Sequence, residues 1–226
     1  MKTKRSVWGR LLTCCVTAVM LLSTGAGAVD QTEVTNRQTD LDYLYSTLKA
    51  SHPNLFANTP EADFETRKAE IEQRLSTDSS FDYTLDCASL VALAKDSHTS
   101  ASLGSSGYDL HYCLFDLDWY DGTWVLSAAD SAHASLLGSE VTAINGVSME
   151  QVVEKFGTFL SADNPVKLRY SYWQMCYVLE PYQYLGIAKQ DQPLTVTIRD
   201  SADKTQTLSV SAVDQSALQA ADLVTL

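Results

Sequence analysis

The residues best suited to chemistry in this chain are Asp96-Ser97-His98-Thr99, four polar side chains that follow an apolar segment. The pKa of a histidine lies near neutral pH, so His98 could take a proton from a nucleophile as a general base. Asp96 could orient its ring, and Ser97 or Thr99 could donate to it. A histidine at a helix end also interacts favourably with the last carbonyl groups, without any catalytic role. On residue types alone, both interpretations stay open.

A general base needs a nucleophile, and the sequence offers no convincing one. The segment Gly104-Ser105-Ser106-Gly107 is not a Gly-x-Ser-x-Gly elbow. It also lacks the strand, turn and helix that would strain and expose a nucleophilic serine. Because a base alone performs no acyl transfer, we expect this chain to be inactive by itself.

The sequence predicts neither a metal site nor a cofactor. Asp116, Asp118 and Asp121 imitate a calcium loop, but their spacing is off by one residue and no glutamate follows at the twelfth position. The cysteines beyond residue 28 match no metal-binding spacing, and their apolar surroundings predict buried free thiols. They are Cys87, Cys113 and Cys176.

The remaining candidates favour structural roles. His52 precedes a proline and is interpreted as the anchor of a bend, while His111 and His133 have no partner nearby in the sequence. The aromatic cluster at 170–184 could line a sugar- or peptide-binding surface. Such a cluster more often forms a core with its polar tips at the rim, and we favour that interpretation.

Hydrophobic periodicity predicts a small helical bundle over residues 39–96. Its first helix carries apolar residues at the spacing of one helix face, from Leu41 to Leu48. A second helix is expected to begin with Thr59 as N-cap and Pro60 in its first turn, and a third covers 81–95. Residues 29–38 are polar and aperiodic, which predicts a linker.

After residue 107 the apolar period changes to two, which is typical of strands. Residues 112–120 and 123–127 read as a hairpin joined by Asp121-Gly122. The segment 136–146 predicts a short buried strand between two turns that contain glycine. Its sequence is Leu-Leu-Gly-Ser-Glu-Val-Thr-Ala-Ile-Asn-Gly. A helix over 148–160, helix-compatible sequence over 165–187 and a second hairpin over 194–210 complete an α+β fold.

The order of these motifs resembles the N-terminal half of the tail-specific (C-terminal-processing), tricorn-like serine peptidases. The resemblance rests on His52-Pro53-Asn54-Leu55-Phe56 after the first helix, Asp96-Ser97-His98-Thr99 after the third, then the hairpin and the 136–146 segment. It implies a helical bundle followed by a PDZ-like β-domain. The expected boundaries are a signal peptide over 1–28, a helical module over 29–104 and a PDZ-like domain over 105–226.

The resemblance also implies site residues. In tricorn-like members the histidine of a Ser-His pair is the general base, which makes His98 the expected catalytic residue and Ser97 its neighbour. In other members a Ser-Lys dyad does this work and the histidine is structural. The family's catalytic serine lies in an α/β domain after the PDZ-like module, and the sequence ends at Leu226, where that domain would begin.

We therefore expect the non-catalytic, peptide-binding half of such a peptidase, truncated before its nucleophile. The PDZ-like module would add an extended peptide or protein C-terminus to a sheet edge. The residues expected at that contact are Leu136, Leu137, Gly138 and Trp124. The alternative is a stand-alone secreted peptide-binding or adaptor protein without proteolytic activity.

The amino terminus and the charge define the expected environment. A basic start, an apolar run over 11–22 and Ala26-Gly27-Ala28 predict a cleaved export signal, hence a secreted or cell-envelope protein without stable membrane insertion. Cleavage would leave 12 basic residues against 28 acidic ones, which disfavours nucleic acid as a partner. Surface left without its usual cover predicts a weak homodimer.

Overall fold

The computed structural model describes residues 29–103 and 107–226, so the expected signal peptide and residues 104–106 lie outside it. The first part contains α1 Gln31–Ser51, α2 Glu61–Glu72, α3 Ser80–Ala92, β1 Tyr112–Cys113, β2 Phe115–Tyr120, β3 Thr123–Ala129, a 3-10 helix Ser131–Leu136, β4 Glu140–Ile144 and β5 Val147–Ser148. The remainder contains α4 Met149–Phe156, α5 Pro165–Trp173, α6 Leu179–Tyr184, β6 Leu194–Arg199, β7 Thr205–Val210, β8 Ala212–Val213, α7 Gln215–Ala220 and β9 Val224–Thr225. The fold is α+β, a helical region followed by an antiparallel sheet.

Helix α1 begins at Gln31, eight residues before the predicted start, so the expected linker over 29–38 is wrong. Asp30 caps the helix by accepting a hydrogen bond from the backbone N–H of Glu33. Arg37 is 3% exposed and donates to the carbonyl oxygens of Leu75 and Asp78 at 3.0 and 2.9 Å. The polar sequence is helical because a buried arginine anchors it to the loop before α3.

Helices α2 and α3 follow the predicted pattern with small shifts. The N-cap of α2 is Pro60 rather than Thr59, and it makes no side-chain cap. Ser79 caps α3 by accepting from the backbone N–H of Asp82. Both helices bury one apolar stripe against α1, so the bundle exists as the periodicity predicts.

The main sheet has the strand order β2-β3-β4-β6-β7, with β5 paired to β4 and β9 paired to β3. The strands pair antiparallel. Asp121-Gly122 joins β2 to β3 with both residues in the left-handed region, at φ 48° and 87°, the geometry that a two-residue hairpin requires. The sheet agrees with the predicted hairpins, and nothing in it confirms a PDZ-like assignment.

Helix α3 belongs to two hydrophobic cores at once. One face places Leu85 and Ala88 in the core under the sheet, and the other places Leu90 in the core of the bundle. Tyr184 of α6 adds a polar connection, because its hydroxyl donates to the buried Asp86 at 2.6 Å. The helical region and the sheet therefore share one central helix.

Of the described residues, no helix combines the length and the apolar character that a membrane crossing requires.

Candidate functional site

The loop after α3 holds the candidate histidine through Asp96. Lys95 takes a left-handed conformation at φ 48° and turns the chain out of the helix. The carboxylate of Asp96 then accepts from the backbone N–H of His98 at 3.0 Å and from the Thr99 hydroxyl at 2.7 Å. These bonds hold the pKa of Asp96 down at about 2, with the backbone donor of His98 as the main cause. Asp96 is thus a fixed anion at neutral pH.

His98 presents its ring to solvent. Its side chain is 92% exposed, and Nδ1 lies 3.5 Å from Oδ1 of Asp96, a longer separation than a hydrogen bond of normal length. Among residues 29–103 and 107–226, no serine, threonine or cysteine side chain is hydrogen-bonded to a histidine ring. Within the described residues, a carboxylate therefore lies beside His98, but no nucleophile is bonded to its ring.

Ser97 connects the loop to the segment before α5. Its hydroxyl donates to Oδ1 of Asp163 at 2.5 Å, and the backbone N–H of Asp163 donates back to Ser97 at 3.3 Å. The hydrogen bond from Ser97 is the main reason that the pKa of Asp163 is lowered. Ser97 is thus a structural link in this arrangement.

Two members of this site carry no local signal in the sequence. The Nε2 atom of His52 lies 3.4 Å from Oδ2 of Asp96, and His52 is separated from Asp96 by 44 positions. Asp163 is 66 positions from Ser97. The His52-Pro53 bend was expected to be structural, and its histidine turns out to face the same carboxylate as His98.

Of the residues expected to bind a peptide, only Trp124 lies on β3, and the other three lie at the end of the 3-10 helix and just after it. The nearby edge of β3 is already occupied. Trp124 is 3% exposed and packs against Trp119 and Tyr172, so its side chain belongs to the core. Strand β9 pairs with Ala128 and Ala129 of β3, and the backbone N–H of Leu226 donates to the Ser127 carbonyl at 2.9 Å.

The loop of Leu136, Leu137 and Gly138 flanks this occupied edge. Leu136 and Leu137 are partly buried against the core under the sheet. Gly138 has φ +80°, and a Cβ atom there would lie 3.6 Å from the Leu226 side chain. The Leu226 side chain, 70% exposed, thus sits beside the glycine at which a bound peptide was expected.

The cysteine thiols are poorly suited to act as nucleophiles. Burial raises the pKa of Cys113 to about 12 and raises that of Cys176 well above its usual range. Burial also raises the pKa of Cys87, so all three favour the thiol over the reactive thiolate. In the described part of the chain, no three histidine, cysteine or carboxylate side chains are grouped to hold a metal ion.

Comparison with known proteins shows a likeness of fold. No family model and no curated protein sequence matches the chain. Solved structures of CPAF, a chlamydial tail-specific-protease-like serine protease, do match. Mature CPAF complexed with lactacystin superposes with a TM-score of 0.57 at 14% identity, over 84% of this chain. A serine-to-alanine mutant of CPAF gives 0.53 at 14% identity over 82% of this chain, and mature CPAF gives 0.51 at 14% identity over 84%.

The match covers only part of CPAF. This chain spans 38% of the length of the lactacystin-bound CPAF chain and 35% of the mutant chain. At this identity the likeness concerns the fold and supports a distant relation. The helical region and the sheet thus recur together in a serine protease.

Proposed function

We propose that these residues form the peptide-binding, non-catalytic part of a secreted serine peptidase of the tail-specific type. The observation that carries the proposal is the likeness of fold to CPAF, which takes in the helical region and the sheet together. The order of the sequence motifs from His52 to Gly146 gives independent support, because it points to the same class of enzyme.

In this proposal His98 is the general base of the complete site. Three features of the loop suit that role: an anionic Asp96, a backbone fixed by the hydrogen bonds to Asp96, and an imidazole free to meet a serine from outside the described residues. A histidine with a fixed backbone and an open ring needs little reorganisation to accept a proton.

The partner we propose is an extended peptide or protein C-terminus, bound by strand addition to β3 beside Gly138. Since β9 holds that edge, an incoming peptide must take over its backbone hydrogen bonds. Val224 of β9 and the adjoining Leu226 are 38% and 70% exposed, so this segment adds no fully buried side chain to the core. Displacing it is therefore inexpensive compared with opening the core.

A stand-alone peptide-binding or adaptor protein is the second candidate. It is favoured by the absence of any hydroxyl or thiol bonded to a histidine ring among residues 29–103 and 107–226. Such a protein would use the β3 edge in the same way and would have no need of His98.

The test is peptidase activity on an unstructured substrate with a free C-terminus. The chain is assayed alone and extended by the coding sequence that follows it in its gene. We expect activity only in the extended form, reduced by roughly a hundredfold or more on His98→Ala. The matched control is His111→Ala, because His111 also faces a carboxylate, that of Glu180. Cleavage by the chain alone contradicts the proposal. So does an extended form whose activity is unchanged by His98→Ala.

Peptide binding tests the β3 edge, which both candidates use. The same peptide, fluorescently labelled, is titrated with the chain alone, and Val224→Pro is compared with Val224→Ala. Proline removes a backbone N–H from β9, so we expect tighter binding for Val224→Pro only. Binding without activity in any form favours the adaptor. No binding in any variant contradicts the β3 edge as a peptide site.

A further inference from the structure

The outward face of α5 is apolar where a surface helix is normally polar. At 100° per residue, Val166, Tyr170 and Trp173 fall on one face, while Leu168 and Tyr172 fall on the opposite face. The first three are 68%, 50% and 36% exposed. The opposite face packs into the core, where Tyr172 is fully buried. The outward stripe therefore lies outside the hydrophobic core under the sheet.

Two cations flank this stripe, one on each side. Lys167 Nζ lies 5.3 Å from the centre of the Tyr170 ring, and the Arg169 guanidinium lies 4.5 Å from that of Trp119 on β2. Trp119 is 42% exposed, so it extends the apolar surface across to the sheet. We call this surface the α5 platform, which comprises Trp119, Val166, Lys167, Arg169, Tyr170 and Trp173.

The charge of these two cations is unbalanced. Neither lies within 4 Å of a carboxylate among the residues that the structure describes, whereas Arg37 and Lys49, which also lie over aromatic rings, are both ion-paired. The chain carries 28 acidic residues against 16 basic ones, so carboxylates are plentiful, yet among the described residues none pairs with Lys167 or Arg169. A guanidinium stacked on a ring keeps its N–H edge free for a carboxylate.

We propose that the α5 platform is a docking surface for an acidic polypeptide segment that carries apolar side chains between its carboxylates. The apolar side chains would cover Tyr170 and Trp173, and the carboxylates would pair with Lys167 and Arg169. Charge complementarity selects this occupant over a second copy docked through the same surface, because Lys167 and Arg169 of the two copies would then face each other. The proposal does not depend on the proposed peptidase role, since it uses neither His98 nor the β3 edge.

A sugar ligand fits the platform less well. The planes of Tyr170 and Trp173 are inclined by 35°, so the two rings do not form a flat stacking surface. The remaining rings of the 170–184 cluster have other partners. Tyr172 and Tyr182 are fully buried, Tyr177 stacks on Tyr112, and the Tyr184 hydroxyl donates to Asp86. The acidic partner accounts for both the rings and the cations.

The test is a binding titration with a defined probe: a fluorescein-labelled peptide in which a Leu-Phe pair is flanked on both sides by runs of glutamate. We expect saturable binding that weakens with added salt, because the ion pairs are partly exposed. Reversing both cations, Lys167→Glu with Arg169→Glu, should weaken binding by roughly tenfold or more, since like charges then face each other. Tyr170→Ser should weaken it without removing the salt dependence.

The matched control is Lys189→Glu with Lys204→Glu, which changes the net charge equally at exposed positions away from α5 and should leave binding intact. Equal binding of a probe with lysine in place of glutamate would overturn the proposal, as would binding unaffected by the α5 reversal. Sedimentation velocity supplies a further check. Self-association that disappears in Tyr170→Ser would assign the platform to a second copy and also overturn the proposal.

Discussion

At the scale of single residues, the most consequential group is the pair of carboxyls Asp78 and Asp86. Asp86 is fully buried, and its Oδ1 accepts from Arg67 at 2.8 Å, from Arg74 and from Tyr184 at 2.6 Å. Its Oδ2 is buried without a partner. Burial and the neighbouring Asp86 raise the pKa of Asp78 to about 6. The side chain of Asp78 faces that of Asp86, so a protonated Asp78 would donate a hydrogen bond to the buried carboxylate.

This pair predicts a pH dependence of stability. The pKa of Asp78 is raised above its usual 3.8, so the folded state binds the proton more tightly, and stability falls as pH rises from about 4 to about 6. Asp78→Asn should be more stable than wild type at pH 7.5, by about 1 kcal/mol once solvent screening is included. The difference should shrink towards pH 5. Urea unfolding at both pH values measures it, with the exposed Glu65→Gln as control. A gain that is constant with pH would contradict the shared proton.

The residues of the candidate site show which contacts can be predicted from neighbouring residues in the sequence and which cannot. The polar run around His98 and its position after a helix were visible in the sequence. The contacts of Asp96 with His52 and of Ser97 with Asp163 were not, because they join residues 44 and 66 positions apart. Residue type and spacing report the chemistry that a side chain can do, whereas the fold decides which partner it meets.

At the scale of elements, α1 is held by the buried Arg37 as well as by its apolar stripe, which includes Leu41 and Tyr45. Arg37→Ala would leave the carbonyls of Leu75 and Asp78 without their donor and open a cavity beside Tyr83, whose hydroxyl donates to the Arg37 carbonyl at 2.7 Å. We expect a loss of about 3 kcal/mol in the free energy of unfolding. Glu33→Gln, which removes only the exposed ion-pair partner at 3.0 Å, should cost less than about 1 kcal/mol. Equal losses in the two variants would show that the buried contacts are unimportant.

Elements defined by local chemistry were predictable, and those defined by distant contacts were not. The turns at Asp121-Gly122 and Asn145-Gly146 were predicted because both need left-handed residues, and both have them. The first part of α1 has no apolar period, since a buried arginine holds it, and its pattern therefore predicts a linker. The short strand β9 could not be predicted from its own sequence, because it is defined by its pairing with β3, almost a hundred residues earlier.

At the scale of the whole molecule, the shared helix α3 argues against two independently folding modules. Its side chains enter the core of the bundle on one face and the core under the sheet on the other. The network around Asp86 joins the same helix to α2 through Arg67 and to α6 through Tyr184. A loss of packing on either face of α3 should therefore lower the stability of both cores, that of the bundle and that under the sheet.

Two substitutions on opposite faces of α3 test this coupling. Leu85 and Leu90 are both fully buried, in the sheet core and the bundle core respectively, and truncating either to alanine should cost about 2–5 kcal/mol. The three tryptophans of the described residues lie on β2, β3 and α5, so their fluorescence follows the sheet side, while far-ultraviolet circular dichroism follows the helices. If α3 couples the cores, Leu90→Ala lowers the urea midpoint equally by both probes, as Leu85→Ala does. A midpoint that moves by circular dichroism alone would mean that the bundle unfolds separately, and that α3 borders the two cores without connecting them.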